Sequence, residues 1–287
     1  QSCSMMSVAY VPNLVNALDR AFCGCMALSD VTLSNCEKIG TWAFAATKVP
    51  FVDIPKCTII SDFAFSTCSS IIGISAPLCR SIGYYAFWNC PNISAASFPE
   101  CSYVGSSAFR IAENVTQFFS SLKYAYFPKC TFLGQCAFVC QTGMSYVHFP
   151  VLSSVLFATF WGCSGLTSID FPECRSITGH DGYGAFERCE LLETVSMAKC
   201  EFTGNRAFLS CHSLRSVSMP RCSFLGNMTF MSCGLLSDVF VPMCRSLYGS
   251  TFLNCSSLEN LSLPALEYLR GYYTISGTRI SSLSLPM

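Results

Sequence analysis

The sequence predicts a solenoid of stacked parallel β-strands, on the strength of two observations. Phenylalanine recurs in one column, at Phe22, Phe44, Phe65, Phe87, Phe109, Phe138, Phe160, Phe186, Phe208, Phe230 and Phe252. The spacings are 22, 21, 22, 22, 29, 22, 26, 22, 22 and 22 residues. A period in that range belongs to repeats that each stack only on their neighbours. The second observation is a short alternating run in every period that stops at one position. That position is Pro12, Ser34, Pro55, Pro77, Pro99, Pro128, Pro150, Pro172, Ala198, Pro220, Pro242, Pro264 and Pro286 in turn, which makes thirteen strands. The unbroken repeat argues for a single domain over 1–287.

The elements of one period follow from residues 208–230, FLSCHSLRSVSMPRCSFLGNMTF. Val217 and Met219 share one face of the strand, and Ser216 and Ser218 point the other way. Pro220 ends the strand because it cannot donate to the ladder. Glycine at Gly40, Gly83, Gly105, Gly134, Gly204 and Gly226 suits a tight corner, a left-handed one included. The phenylalanine then plugs the far wall of the coil. The idealised repeat reads A-F-x-x-C-x-x-L-x-x-[VI]-x-[LFM]-P-x-C-x-x-[IFL]-G. Its L-x-x-L-x-L strand spacing, with the A-F-x-x-C and I-G turns, closely resembles the BspA-like leucine-rich repeat family over almost the whole chain. That resemblance implies an α/β leucine-rich repeat solenoid of about 12 repeats. Short turns or helical segments would form the wall opposite the strands, the winding would be right-handed, and no caps are obvious. It also implies a surface-exposed binding or adhesive protein, since the family is mostly that, with diverse partners.

Two periods are over-long. The one from Phe109 to Phe138 carries seven extra residues around 111–121, and the one from Phe160 to Phe186 carries four around 178–183. Insertions in solenoids emerge as loops from one face. In the last period Thr274 replaces the phenylalanine, but 280–286 is a full strand.

Apolar residues make up 51% of the chain and charged ones 12%. Internal positions of a solenoid account for part of this, and the remainder implies outer surfaces for a partner to cover. Lys+Arg and Asp+Glu are both 17, and no basic run occurs, so nothing attracts nucleic acid. The stretch 131–169 has no formal charge, yet Pro150, Gly162 and its repeat register argue against a membrane span. No signal peptide is visible, and a start at Gln1 reads as a processed or trimmed N-terminus.

The twenty-one cysteines resemble a disulfide scaffold by count, but their positions point elsewhere. Nine precede the first strand leucine by three residues: Cys3, Cys25, Cys68, Cys90, Cys163, Cys189, Cys211, Cys233 and Cys255. Nine more follow the strand end by two: Cys36, Cys57, Cys79, Cys101, Cys130, Cys174, Cys200, Cys222 and Cys244. Only Cys23, Cys136 and Cys140 lie outside both columns. Two ladders of buried thiols, packing as small hydrophobes, are the favoured reading. Disulfides between adjacent rungs are the alternative, close enough in Cα distance but needing a torsion near 90° that a ladder need not provide. Zinc is disfavoured, because no C-x-x-C pair occurs and only three histidines exist.

No catalytic constellation stands out. His212 directly follows Cys211, where it is badly placed to act as its base, and His180 sits beside Asp181 in the shorter insertion. There is no G-x-S-x-G, phosphate loop or paired acidic motif. The sequence therefore predicts no enzyme, no cofactor and no metal.

One surface feature rises above the background. The outward sites two and four residues before the strand end become Tyr126 and Tyr124, then His148 and Tyr146, with Asp170 on the next rung. Such clusters are common on protein- and sugar-binding faces, although cross-strand stacking alone would also account for one. Elsewhere that column reads Ser75, Ser97, Ser196, Ser218, Ser262 and Ser284, a hydroxyl stripe. N-glycosylation sequons begin at Asn92, Asn114, Asn227, Asn254 and Asn260.

The favoured expectation is an extracellular or cell-surface structural protein that assembles with itself head to tail. Its terminal strands would carry apolar inward residues without a cap, at Met6, Ala9 and Val11 and at Ile280, Leu283 and Leu285. The alternative is a monomeric surface adhesin or receptor that docks a host or surface protein or glycan on its strand face.

Overall fold

The computed structural model describes residues 3–112, 120–180 and 182–286. The chain divides into two compact units, Gln1–Phe149 and Pro150–Met287, built on the same plan. Each coil carries a three-residue strand and, after a corner, a two-residue strand. In the first unit the short strands run from Asn16–Ala17 to Phe132–Leu133 as one six-stranded sheet, every pair parallel and one coil apart. The second unit repeats this from Ser154–Val155 to Tyr268–Leu269. Parallel pairing needs a long return connection, and here the rest of the coil supplies it.

The longer strands are the thirteen expected, from Val8–Tyr10 to Ser282–Ser284. Ser216–Ser218 is typical: Val217 is buried between two serines that face outward, and Met219 is buried beyond them. The ladder of short strands was not foreseen. Two residues are too few for an alternation to register in a sequence.

The third wall is made of turns, and the described residues contain no helix. Of the two options left open by the sequence for this wall, only the turn is used. In most coils three N–H groups cross to the carbonyls of the coil that follows, those of the phenylalanine and of the residues two before and two after it. Arg206, Phe208 and Ser210 thus donate to Asn227, Thr229 and Met231 at 2.8–2.9 Å. Aiming all three in one direction places the flanking residues in left-handed conformation. Arg206 and Ser210 have φ of 58° and 60°, Trp42 and Ala46 of 59° and 58°. A non-glycine residue there costs about 1–2 kcal/mol, which the inter-coil hydrogen bonds and the stacked core offset.

The corner glycines serve a different purpose from a left-handed turn. None of the six has positive φ. They are glycine because the neighbouring coil's backbone lies against them: a Cβ on Gly105 would stand 2.7 Å from the carbonyl carbon of Gly83, and one on Gly226 2.6 Å from that of Gly204.

Two phenylalanine columns fill the interior. From Phe22 to Phe138 successive rings of the first unit stack with centroids 4.9–5.4 Å apart. From Phe160 to Phe252 the second unit does the same at 5.2–5.6 Å. A second column, Phe98, Phe127 and Phe149, stacks at 5.2–5.3 Å and meets the first edge-on, as Phe127 meets Phe138 at 70°. Offset stacks along a column and edges between columns are the arrangements that aromatic quadrupoles favour.

Candidate binding face

The expected aromatic cluster forms on the first unit. Strands Tyr124–Tyr126 and Tyr146–His148 pair in parallel, with Tyr124 opposite Tyr146 and Tyr126 opposite His148. Ala125 and Val147 between them are buried, which fixes the outward direction of the four side chains. The Tyr126 and His148 rings stack 5.1 Å apart at 7°, and the Tyr146 hydroxyl lies 3.3 Å from His148 Nδ1. The three tyrosines remain 40–44% exposed, so stacking has not removed them from solvent. Asp170 lies on Ser168–Asp170 in the second unit, half-buried.

The same outward columns carry aromatic residues that the sequence reading passed over. Phe51 is 63% exposed and lies against Gly73, while Phe240 in the second unit is 54% exposed. On the short-strand ladder the outward residue is aromatic at Tyr103 and Phe132, stacked 4.9 Å apart, and at Phe202 and Phe224, stacked 4.7 Å apart. Burial, then the Tyr84 hydroxyl 3.2 Å away, pushes Tyr103 up to about 12. The signal was present as an aromatic two residues before Gly105, Gly134, Gly204 and Gly226. It could not be assigned a direction without the second ladder. The serine column does face outward, with Ser75, Ser97, Ser196, Ser262 and Ser284 all exposed.

Both cysteine columns are interior apart from Cys3, which is exposed, and the structure joins no cysteines in a disulfide among the described residues. Thiols of the first column reach back one coil: Cys68, Cys90, Cys211 and Cys255 donate to the carbonyls of Phe44, Phe65, Phe186 and Phe230 at 3.0–3.2 Å. Thiols of the second column donate within their own coil, as Cys57 does to Ile59 and Cys101 to Tyr103, both at 3.2 Å. Burial pushes Cys57 up to about 11 and Cys101 and Cys130 to about 12. Reactivity requires the thiolate, and burial disfavours that form of these groups at neutral pH.

Other polar residues hold turns and coils together. Glu187, buried, accepts from the Gly184 N–H at 2.9 Å and from Arg206 at 2.8 and 3.0 Å. His180 takes the Gly182 N–H on Nδ1, and its partner in the insertion, Asp181, lies outside the described residues. His212 is exposed. Among the described residues no group of three or more His, Cys, Asp or Glu converges as metal ligands, and no helix is long and apolar enough to cross a membrane. Of the sequon residues, Asn92, Asn254 and Asn260 are exposed, with Asn92 giving its amide to the Ser69 carbonyl at 2.7 Å. Asn227 is half-buried, and Asn114 lies outside the described residues, as does most of the longer insertion. Of the terminal apolar positions, Ala9 is buried, Met6, Val11 and Ile280 are half-buried, and Leu283 and Leu285 are exposed.

Comparison with curated proteins finds none that matches. Among solved structures, a leucine-rich repeat protein from Bacteroides ovatus is similar at 17% identity, over 94% of this chain and 70% of that one, with a TM-score of 0.49. A leucine-rich repeat protein from Eubacterium ventriosum is similar at 16% identity, over 96% and 84%, with a TM-score of 0.46. A leucine rich cell surface protein from Faecalibacterium prausnitzii is similar at 17% identity, over 98% and 88%, with a TM-score of 0.45. The model of the BspA type leucine rich repeat region matches in 6 copies, over residues 1–116, 110–237 and 182–287. With that match spanning the chain, and with coils that each carry a long and a short parallel strand, the protein belongs to the BspA-type leucine-rich repeat family.

Proposed function

We propose that this chain is a non-enzymatic binding protein of the cell surface, which docks a protein partner on the outward face of its long strands. Membership of a repeat family whose coils make an extended surface supports a binding or structural role. One observation carries the finer reading: Tyr124, Tyr126 and Tyr146 stand exposed in a fixed parallel register above a buried sheet. Rings held in place lose little conformational freedom on binding, and each offers an apolar body with a hydroxyl tip. The rings stand side by side on the outward face of paired strands, an arrangement that suits another protein. The test replaces Tyr124, Tyr126, Tyr146 and His148 together by serine. Partners captured from an array of secreted and surface proteins should bind the variant at least tenfold more weakly, at an unchanged melting temperature. Unaltered binding would reduce the cluster to a sheet-stabilising stack.

A second reading, assembly of copies head to tail, is supported by a separate observation. In the second unit Leu269, Leu283 and Leu285 are 61%, 43% and 47% exposed beside the buried Leu247, Leu261 and Leu263. The strand Ser282–Ser284 has the pattern that pairs with a following rung, and Val8–Tyr10, with Ala9 inward, has the pattern of such a rung. A second copy would cover these leucines as one coil covers the next, in a heterologous contact that propagates. Light scattering and negative-stain microscopy should then show rods or rings of residues 1–287, and a polar capping repeat after Pro286 should abolish them. A chain that stays monomeric at high concentration, or a capped chain that still polymerises, rules out this contact.

A further inference from the structure

A groove of about 570 Å³ lies in the second unit, where the short-strand ladder meets the turns. The Phe224 and Tyr248 rings line it, centroids 4.9 Å apart at 45°, together with the exposed Tyr272 and Tyr273. Asn227 and Arg270 also face it. Its volume falls within the roughly 300–1,000 Å³ of small-molecule sites, and apolar walls with a few convergent polar groups are their usual composition.

Much of the wall backbone is already committed between coils. Tyr248, Arg270, Gly226 and Met228 give their N–H groups to Leu225, Leu247, Thr203 and Gly249 at 2.9–3.2 Å, all between coils. These committed groups leave less main chain for an extended peptide, whose affinity comes from main-chain hydrogen bonds, than the side chains leave for a ligand they can meet. The side chains that face the groove have hydrogen-bonding capacity to spare. Among the described residues, the Asn227 amide side chain makes no hydrogen bond and the Tyr248 hydroxyl makes none. The Arg270 guanidinium lies over the Tyr268 ring, 5.5 Å from its centroid, and pairs with no described carboxylate. Nearby Glu267 is held by Arg245 at 3.7 Å. No aspartate or glutamate lines the groove, so Arg270 gives it an uncompensated positive charge.

We propose that this groove binds an acidic saccharide, with a hexuronate carboxylate on Arg270 and pyranose C–H faces against Phe224 and Tyr248. The electron-rich face of an aromatic ring attracts C–H groups, and a guanidinium matches a carboxylate through two parallel hydrogen bonds. The Asn227 amide and the phenol hydroxyls donate to and accept from sugar hydroxyls. A small anion would satisfy Arg270 but leave the rings uncovered. The site is separate from the strand face of the first unit, and its binding does not depend on the role proposed for that face.

The test is calorimetric titration of residues 1–287, made without N-glycosylation because Asn227 begins a sequon. The probes are a tetragalacturonate, a hyaluronan tetrasaccharide, the carboxyl-reduced form of each, and inorganic phosphate. At least one acidic oligosaccharide is expected to bind saturably, and its carboxyl-reduced form at least tenfold more weakly. Arg270→Gln should produce the same loss, and Phe224→Ala a loss for acidic and reduced forms alike. Should Phe224→Ala fail to fold, Asn227→Ala and Arg270→Gln, both on side chains that reach solvent, decide the matter. The four-serine variant of the strand face should bind the saccharide as the parent does. The proposal is overturned if neither acidic oligosaccharide binds at millimolar concentration, if a reduced form binds equally well, if phosphate competes as strongly as the saccharide, or if Arg270→Gln leaves affinity unchanged.

Discussion

The thiol of Cys233 donates to the main-chain carbonyl of Phe208 at 3.1 Å, across the interval between one coil and the next. That carbonyl also accepts the Cys211 N–H at 3.3 Å within its own coil. Cysteine and phenylalanine, the two most regular letters of the repeat, are thus joined by a bond between coils. The contact explains why a cysteine occupies this position. A buried side chain must be small enough to fit under the next strand and still donate one hydrogen bond.

The phenylalanine column should dominate stability. Phe208 is fully buried between Phe186 and Phe230, at centroid distances of 5.3 and 5.6 Å. Phe208→Ala or Phe230→Ala is expected to cost about 3–5 kcal/mol, measured as a shift in urea-induced unfolding. A loss below about 1 kcal/mol would mean that neighbouring coils close the space.

The ladder cysteines should be thiols. All nine thiols of the second column donate to a carbonyl in their own coil, six of the first donate to a carbonyl one coil back, and no disulfide joins the described residues. Titration of the denatured chain without prior reduction should find well over half of the 21 as free thiol. A count near zero would show the ladder to be cross-linked.

Alkali should unfold the protein. Burial raises Cys57 and Cys174 to about 11, and Cys101, Cys130, Cys244 and Cys255 to about 12, from an ordinary value of 9.0. Between pH 9 and 11–12 the unfolded chain releases these protons while the folded chain keeps them. The stabilisation is therefore complete below pH 9 and is lost as pH rises through the folded values. At pH 10 each such thiol removes about 1.4 kcal/mol, and six together rival a typical stability of about 5–15 kcal/mol. The urea midpoint should fall steeply between pH 9 and pH 10.5, less so in Cys101→Ala. A flat profile across that range contradicts the burial.

Two glycines should respond to alanine with losses of unequal size. At Gly226 a Cβ meets backbone at 2.6 Å, so Gly226→Ala should cost about 3 kcal/mol or prevent folding. Gly24 has φ of 72°, but Ala46 occupies the matching place in the next coil at 58°. Gly24→Ala should therefore cost only about 1 kcal/mol. Thermal melts of the two variants give the comparison, and equal losses would contradict it.

The sequence by itself determined the period, the thirteen long strands and the buried phenylalanine column. It also determined the outward direction of Tyr124, Tyr126, Tyr146 and the serine stripe. Each depends only on which residues recur and which alternate, and recurrence in a solenoid is adjacency in space. The tertiary structure alone decided what recurring residues meet. The left-handed φ of Arg206 and Ser210, the backbone against Gly226, the reach of Cys233 to Phe208 and the groove of Phe224, Tyr248 and Arg270 all depend on the rise and direction of one coil over the next. A period of 22 residues states that two residues are neighbours. It does not say which atoms face each other, because that is set by where the turns direct their N–H groups.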